Sequence, residues 1–176
     1  MKQTKIKPNN VTADAGYGSE QNYEWLASKK ITADVKHQNF DRDQHKRTRN
    51  KNPYRVDKLA YNEAKDHYIC PSGKRMKSIG SYRSTTSTGF EQILTCYQAS
   101  KCKCCPLKEQ CHQGKGNRVI TTNHHLNYLR NKVDKRLKTS RGIAKRKQRC
   151  YDVEPVFGNI KHNHHFKRLC YEALKK

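Results

Sequence analysis

Hydrophobic and polar positions change rhythm twice along this chain. In "VTADAGYGSEQNYEWLASKKITADVKH", Val11, Ala13 and Ala15 alternate with polar neighbours, the period of two expected of a strand. Tyr23, Leu26 and Ala27 then recur at helical spacing. They follow Ser19, an N-cap residue type, and Glu20, whose charge suits the positive end of a helix dipole. "ITADVKH" reads as a second strand. A strand, a helix and a strand over this length make a βαβ unit, and such a crossover joins parallel strands.

From about residue 40 to 122 the pattern breaks up. "FDRDQHKRTRNKNPYR" is a charged, exposed run. "HYICPSGKRMKS" and "GFEQILTCY" read as short strands bounded by Pro, Gly and Ser, and the cluster "CYQASKCKCCPLKEQCH" follows. This zone is expected to be an insertion outside the first sheet. The last third is helical: Leu126, Leu129, Val133 and Leu137 recur at spacings of three and four. Gly142 is expected to interrupt the helices. Val153, Val156, Phe157 and Ile160 then fall at i, i+3, i+4 and i+7 and predict another helix. Glu154 and Pro155 would stand in its first turn, where a missing N–H costs nothing. The expected organisation is therefore 1–39, a βαβ segment; 40–122, a Cys-rich insertion; and 123–176, a helical segment carrying Glu154.

Composition narrows the partners more than the fold. The chain has 176 residues, only 33% hydrophobic, so its core is modest. Its net charge of +23 points to a polyanion, most simply nucleic acid. Residues 121–176 hold 15 Lys and Arg against 4 Asp and Glu, a net +11 that is about half of the excess. The runs at 135–149 suit a DNA backbone, which supplies affinity without base specificity. The start "MKQTKIKPNN" has no apolar leader, and no run reaches membrane-spanning length, so a cytoplasmic protein without a membrane partner is expected. In a reducing compartment eight cysteines bind metal or pack more often than they form disulfides.

Three groups of residues carry chemistry. Asp14 stands where the first strand gives way to a Gly-containing turn, the strand end at which parallel sheets bind ligands. Glu154 and Lys161, seven apart, share a helix face. Cys70, Cys102, Cys105 and Cys111 supply four thiolates from two loops, with a C-x2-C spacing, as a structural Zn2+ requires. Cys96, Cys104 and His112 are open alternatives, and Cys150 and Cys170 read as core. His162, His164 and His165 surround Lys161, while His124 and His125 begin the earlier helix; polar contact with phosphates or solvent suits them.

"TADAGYGSEQNYEWL" and "DVEPVFGNIKHNHHFKR", in that order, resemble two signature blocks of bacterial insertion-sequence DDE transposases, and "CPSGK" with "CKCCPLKEQC" resembles their cysteine-bearing insertion. The resemblance implies an α/β fold with a ribonuclease H-like core, incomplete here, that carries a Cys-rich, short-stranded insertion and a helical C-terminal segment. It implies metal-dependent DNA strand cleavage and strand transfer. Asp14 matches the second acidic residue of the triad and Glu154 the third, both as ligands of Mg2+ (or Mn2+). Lys161 and Arg149 match DNA-contacting basic residues, with Lys167 and Arg168 of "FKR" beside them. Where many members have a tyrosine three residues before the arginine, this chain has Arg146; where many have an Arg-Gly pair after "FKR", it has "LCYEALKK".

Physical chemistry agrees with that assignment. Two divalent ions roughly 3.5–4 Å apart can activate an attacking oxygen and stabilise a leaving one. Hard cations need oxygen donors, which explains a glutamate among lysines and arginines. No Asp or Glu precedes Asp14, so the chain is expected to be a C-terminal part, inactive alone, that works with DNA ends and target and with the missing N-terminal part or another transposase chain. A zinc-stabilised nucleic-acid-binding module without catalysis is the alternative, and an RNA-binding protein ranks below both.

Overall fold

The computed structural model describes residues 7–45 and 52–164. It divides into two compact units. One gathers the residues up to Gly18, Asn22–His37 and the residues from Asn131 on; the other comprises Ser19–Gln21 and Gln38–Arg130. The fold is α/β. Among the described residues no helix is long and apolar enough to cross a membrane.

In the first unit, β1 (Asn10–Ala13) and β2 (Thr32–Val35) pair in parallel, with Asn10 opposite Thr32 and Ala13 opposite Val35. Helix α1 (Glu20–Ser28) connects them, as the alternating and helical patterns predict. Tyr23 and Leu26 are buried, and the Tyr23 hydroxyl donates to the Val35 carbonyl at 3.0 Å, which ties the helix to the strand it precedes. Ala27, at the edge of that face, is exposed.

Two helices complete this unit. The second half of α4 (His124–Leu137), which in sequence follows the short helices α2 (Phe40–Gln44) and α3 (Lys108–Cys111) of the other unit, brings in the buried Val133 and Leu137. Helix α5 runs unbroken from Ser140 to His162. The break expected at Gly142 therefore falls earlier, at Lys138 and Thr139. Thr139 caps α5 by accepting the Gly142 N–H at 3.1 Å. Gly142 lies inside the first turn for want of room: a Cβ there would stand 2.2 Å from the Arg136 carbonyl oxygen and 2.8 Å from the Leu137 Cα. Pro155 likewise lies in the helix interior and not in a first turn. Its ring removes one i→i−4 bond, the one that would have reached the Tyr151 carbonyl.

The second unit is an antiparallel meander. Strands β3 (Tyr61–Asn62), β4 (His67–Ile69), β5 (Arg75–Thr85), β6 (Glu91–Gln98) and β7 (Val119–Thr122) pair in chain order. The β5–β6 hairpin is longer than the short strands its sequence suggests, with a register shift between Ser78 and Gly80. Two short helices, α2 (Phe40–Gln44) and α3 (Lys108–Cys111), flank the sheet in sequence. The core gathers Tyr68, Cys70, Met76, Tyr97, Ala99 and Ile120 at one end of the sheet. Each large side chain there contributes roughly 1.5–3 kcal/mol by leaving water. Asn123 begins α4: its Oδ1 accepts the Leu126 N–H at 2.8 Å, and its amide donates to the buried Glu20 carboxylate at 2.5 Å.

Candidate functional site

Asp14 directly follows β1, at its carboxyl end. Its extended backbone opens a 3-10 turn over Ala15–Tyr17, and its carbonyl accepts the Tyr17 N–H at 3.0 Å. The carboxylate makes no capping bond. It is 56% exposed and pairs with the Arg149 guanidinium from α5. One helical turn earlier, Lys145 reaches Asp34 of β2 at 2.7 Å. Residues four apart share a helix face, so one face of α5 sets two cations against the two acidic residues of the parallel pair.

Asp34 is the more enclosed of those acids, with 5% of its side chain exposed. It also accepts from the Asn10 amide at 3.1 Å and faces the Arg136 Nε at 4.0 Å. Arg136 in turn donates to the Ala33 carbonyl at 2.5 Å. A buried carboxylate must be paired, and two donors, Asn10 and Lys145, with the nearby charge of Arg136 meet that need. Beside it lies a cavity of about 220 Å³ whose walls include Arg136, Arg141 and Lys145, cationic in sum. His37 and Asp134 add a contact of 3.0 Å between the end of β2 and α4.

Asp14 and Arg149 are therefore in contact. Glu154 is exposed on the same helix, five residues beyond Arg149, about 7.5 Å along the axis and roughly 140° around it. Lys161 falls in the last turn of α5; Lys167 and Arg168 lie outside the described residues, as do His165 and Cys170. His162 and His164 are exposed, and Cys150 is half-buried on α5. Sequence reasoning missed Asp34. The signal was present: one acid inside the apolar strand "ITADV" must be paired wherever that strand is buried.

In the second unit Cys70, Cys102, Cys105 and Cys111 line a single cavity of about 20 Å³, together with His112 and Arg118. Cys70 opens the β4–β5 turn. Its Sγ accepts the Lys74 N–H at 3.3 Å, and Gly73, with φ +79°, supplies the left-handed residue that lets the chain fold back over the sulfur. Cys102 and Cys105 form a second tight turn, with the Cys105 N–H donating to the Cys102 carbonyl at 3.2 Å. The Arg118 backbone N–H donates to Cys102 Sγ at 3.4 Å, and its guanidinium donates to Cys111 Sγ at 2.9 Å. The Leu107 backbone N–H first, then the Ser72 hydroxyl and the Lys74 charge, hold the Cys105 thiol below its ordinary value of 9.0. Cys104 is exposed, Cys96 lies on β6 away from the cavity, and the described cysteines are all free thiols.

Beside the core of the meander, Tyr61, Tyr68, Tyr97 and His124 pack ring against ring, with Tyr68 and Tyr97 centroids 5.0 Å apart. The Tyr97 hydroxyl donates to Asp66 and lies 2.8 Å from the His124 Nε2. Hydrogen bonds from Tyr97 and then Tyr61 hold Asp66 below its ordinary value of 3.8. Burial first, then Asp66, push the Tyr97 phenol well up.

No curated protein and no solved structure matches the chain. Residues 69–176 match the family described as transposase DDE domain, a stretch that includes all four cavity cysteines, Arg149 and Glu154.

Proposed function

Because the chain belongs to the transposase DDE domain family, we propose that its transposition-related role is metal-dependent DNA strand cleavage and strand transfer, with Asp14 and Glu154 as two of three catalytic carboxylates. The observation that carries this reading is the Asp14–Arg149 pair, which brings the Glu154 helix to the carboxyl end of β1. The parallel strands with α5 against them would be part of a ribonuclease H-like core.

Mg2+ or Mn2+ bound there would activate the attacking oxygen and neutralise the leaving one. By donor chemistry both carboxylates suit such an ion, as exposed oxygen ligands, and that of Asp14 is uncommitted to its own turn; Glu154, roughly 140° around α5 from Arg149, would have to turn towards Asp14 to share it. Arg149 orients Asp14 and must yield to a cation. An ion pair this exposed is worth about 0–1 kcal/mol, so the exchange costs at most several-fold in metal affinity. Lys161, Lys167 and Arg168 would hold DNA phosphates in register with the two carboxylates. A third carboxylate is needed and would come from a further segment or another transposase chain.

The test combines the chain with a segment carrying a strand that ends in Asp and assays Mn2+-dependent nicking and joining of the element's own ends. The reading requires activity from the pair, none from this chain alone, and loss in Asp14→Asn and Glu154→Gln. DNA binding unaffected by those changes, with no nick or joint from the complemented protein, would establish a non-catalytic binding module instead.

A further inference from the structure

We propose that Cys70, Cys102, Cys105 and Cys111 hold one structural Zn2+ that staples the β4–β5 turn to the loop between β6 and β7. The site is independent of the carboxylate chemistry. It lies in the other unit, and its residues are 32 or more positions apart across the two loops.

Arg118 is the most telling neighbour. It is 9% exposed, and a buried guanidinium needs negative charge close by. Among the described residues no carboxylate forms an ion pair with it; its side-chain acceptor is the Cys111 sulfur, alongside the Tyr54 carbonyl. A neutral thiol is a weak acceptor, whereas a metal-bound thiolate carries the charge that Arg118 requires. The backbone N–H groups of Lys74 and Arg118 are likewise aimed at the Cys70 and Cys102 sulfurs. Donors turned towards sulfur in this way stabilise thiolates and orient metal ligands.

Size and tautomer narrow the occupant. A cavity of about 20 Å³ holds one small occupant and no organic ligand. His112 also lines it, but its Nδ1 accepts the Gly114 N–H at 2.9 Å. The neutral ring then carries its proton on Nε2, the buried nitrogen that has no partner among the described residues. A protonated nitrogen cannot ligate, so the ligand set is four cysteines. Four thiolates in a tetrahedron suit a d10 ion with sulfur at about 2.3 Å, which places the sulfurs roughly 3.8 Å from one another. In this conformation no three of them lie within 4.8 Å of each other, so binding draws the two loops together.

The experiment uses the full chain, purified without chelator. Elemental analysis is expected to find one zinc per chain. Cobalt exchange should give intense thiolate-to-metal charge-transfer bands of a tetrahedral site. In the native protein four of the eight cysteines should resist a thiol reagent until chelator is added. Cys104→Ser, Cys96→Ser and His112→Gln should keep the metal, and Cys111→Ser should lose it. Since a ligand variant can simply unfold, the wild-type thiol count decides. Eight reactive thiols in folded, metal-free protein, or a disulfide among the four, would overturn the site. Loss of zinc in His112→Gln would overturn the four-thiolate set, and iron in place of zinc would overturn the choice of metal.

Discussion

Lys145→Met tests whether the contact between β2 and α5 is held by charge. Asp34 keeps 5% of its side chain exposed and Lys145 22%, at 2.7 Å. Breaking a fully buried pair costs about 3–5 kcal/mol, because one charge stays behind unpaired; an exposed pair is worth about 0–1 kcal/mol. Asp34 retains the Asn10 amide at 3.1 Å and Arg136 at 4.0 Å, and Lys145 reaches partial solvent. The cost should therefore lie between the two limits, at about 2 kcal/mol, or roughly thirtyfold in local opening. Native-state hydrogen exchange at the β2 amides reads this without requiring both units to unfold together. Asp34→Asn removes the charge that needs pairing, so adding it to Lys145→Met should recover about 1 kcal/mol of the expected sum. Exchange less than about fivefold faster in Lys145→Met, or strictly additive costs, would refute a charge-held contact.

Other consequences follow from residues already placed. Gly142→Ala gains up to about 1 kcal/mol of helix propensity but drives a methyl to 2.2 Å from a carbonyl that no rotamer change can move. Overpacking should win, with a loss of about 3 kcal/mol in urea unfolding; a neutral result would mean that the corner can open. Because the fold depresses the Asp66 pKa, its stabilisation is present above 3.8 and lost as pH falls through the folded value. Tyr97→Phe, which removes the larger cause, should flatten the acid limb followed by tyrosine near-UV circular dichroism, while lowering stability at neutral pH. Lys132, Lys135, Arg141 and Lys147 are exposed on α4 and α5. If they bear on phosphates, replacing all four with alanine should lower the slope of log affinity against log salt by about 0.9 for each phosphate no longer neutralised; an unchanged slope would place the DNA elsewhere.

Local periodicity sufficed for α1 and the Leu126–Leu137 stripe, because the spacing of apolar residues records the face that each helix buries; β1 and β2 were legible too, although β1 is half-buried throughout and β2 buries three residues in a row. The start of α5 was not legible in the same way. Gly142 has the low helix propensity of a breaker, yet it is there for room beside Arg136, and only the folded corner shows this. Pro155 misled in a similar manner, since proline suits a first turn but is tolerated within this 23-residue helix. Of the site, Asp14 and the four cysteines could be singled out from neighbours and spacing. Arg149 as the partner of Asp14, 135 residues away, could not, nor could Arg118 as a sulfur's donor, because such pairs are made by the fold and leave no periodic trace.

The two units also differ in when they can exist during synthesis. Every strand of the meander pairs with its neighbour in sequence, so its contacts are local and form early. The β1–β2 unit instead needs Val133, Leu137 and Lys145, which are translated about a hundred residues after the strands they cover. At about 5–20 residues per second, the nascent chain carries that strand pair for several seconds before its helices emerge. An arrested chain whose residues up to Arg130 have cleared the exit tunnel would thus present a finished meander and an unfinished β1–β2 unit, a state that limited proteolysis of arrested chains can display.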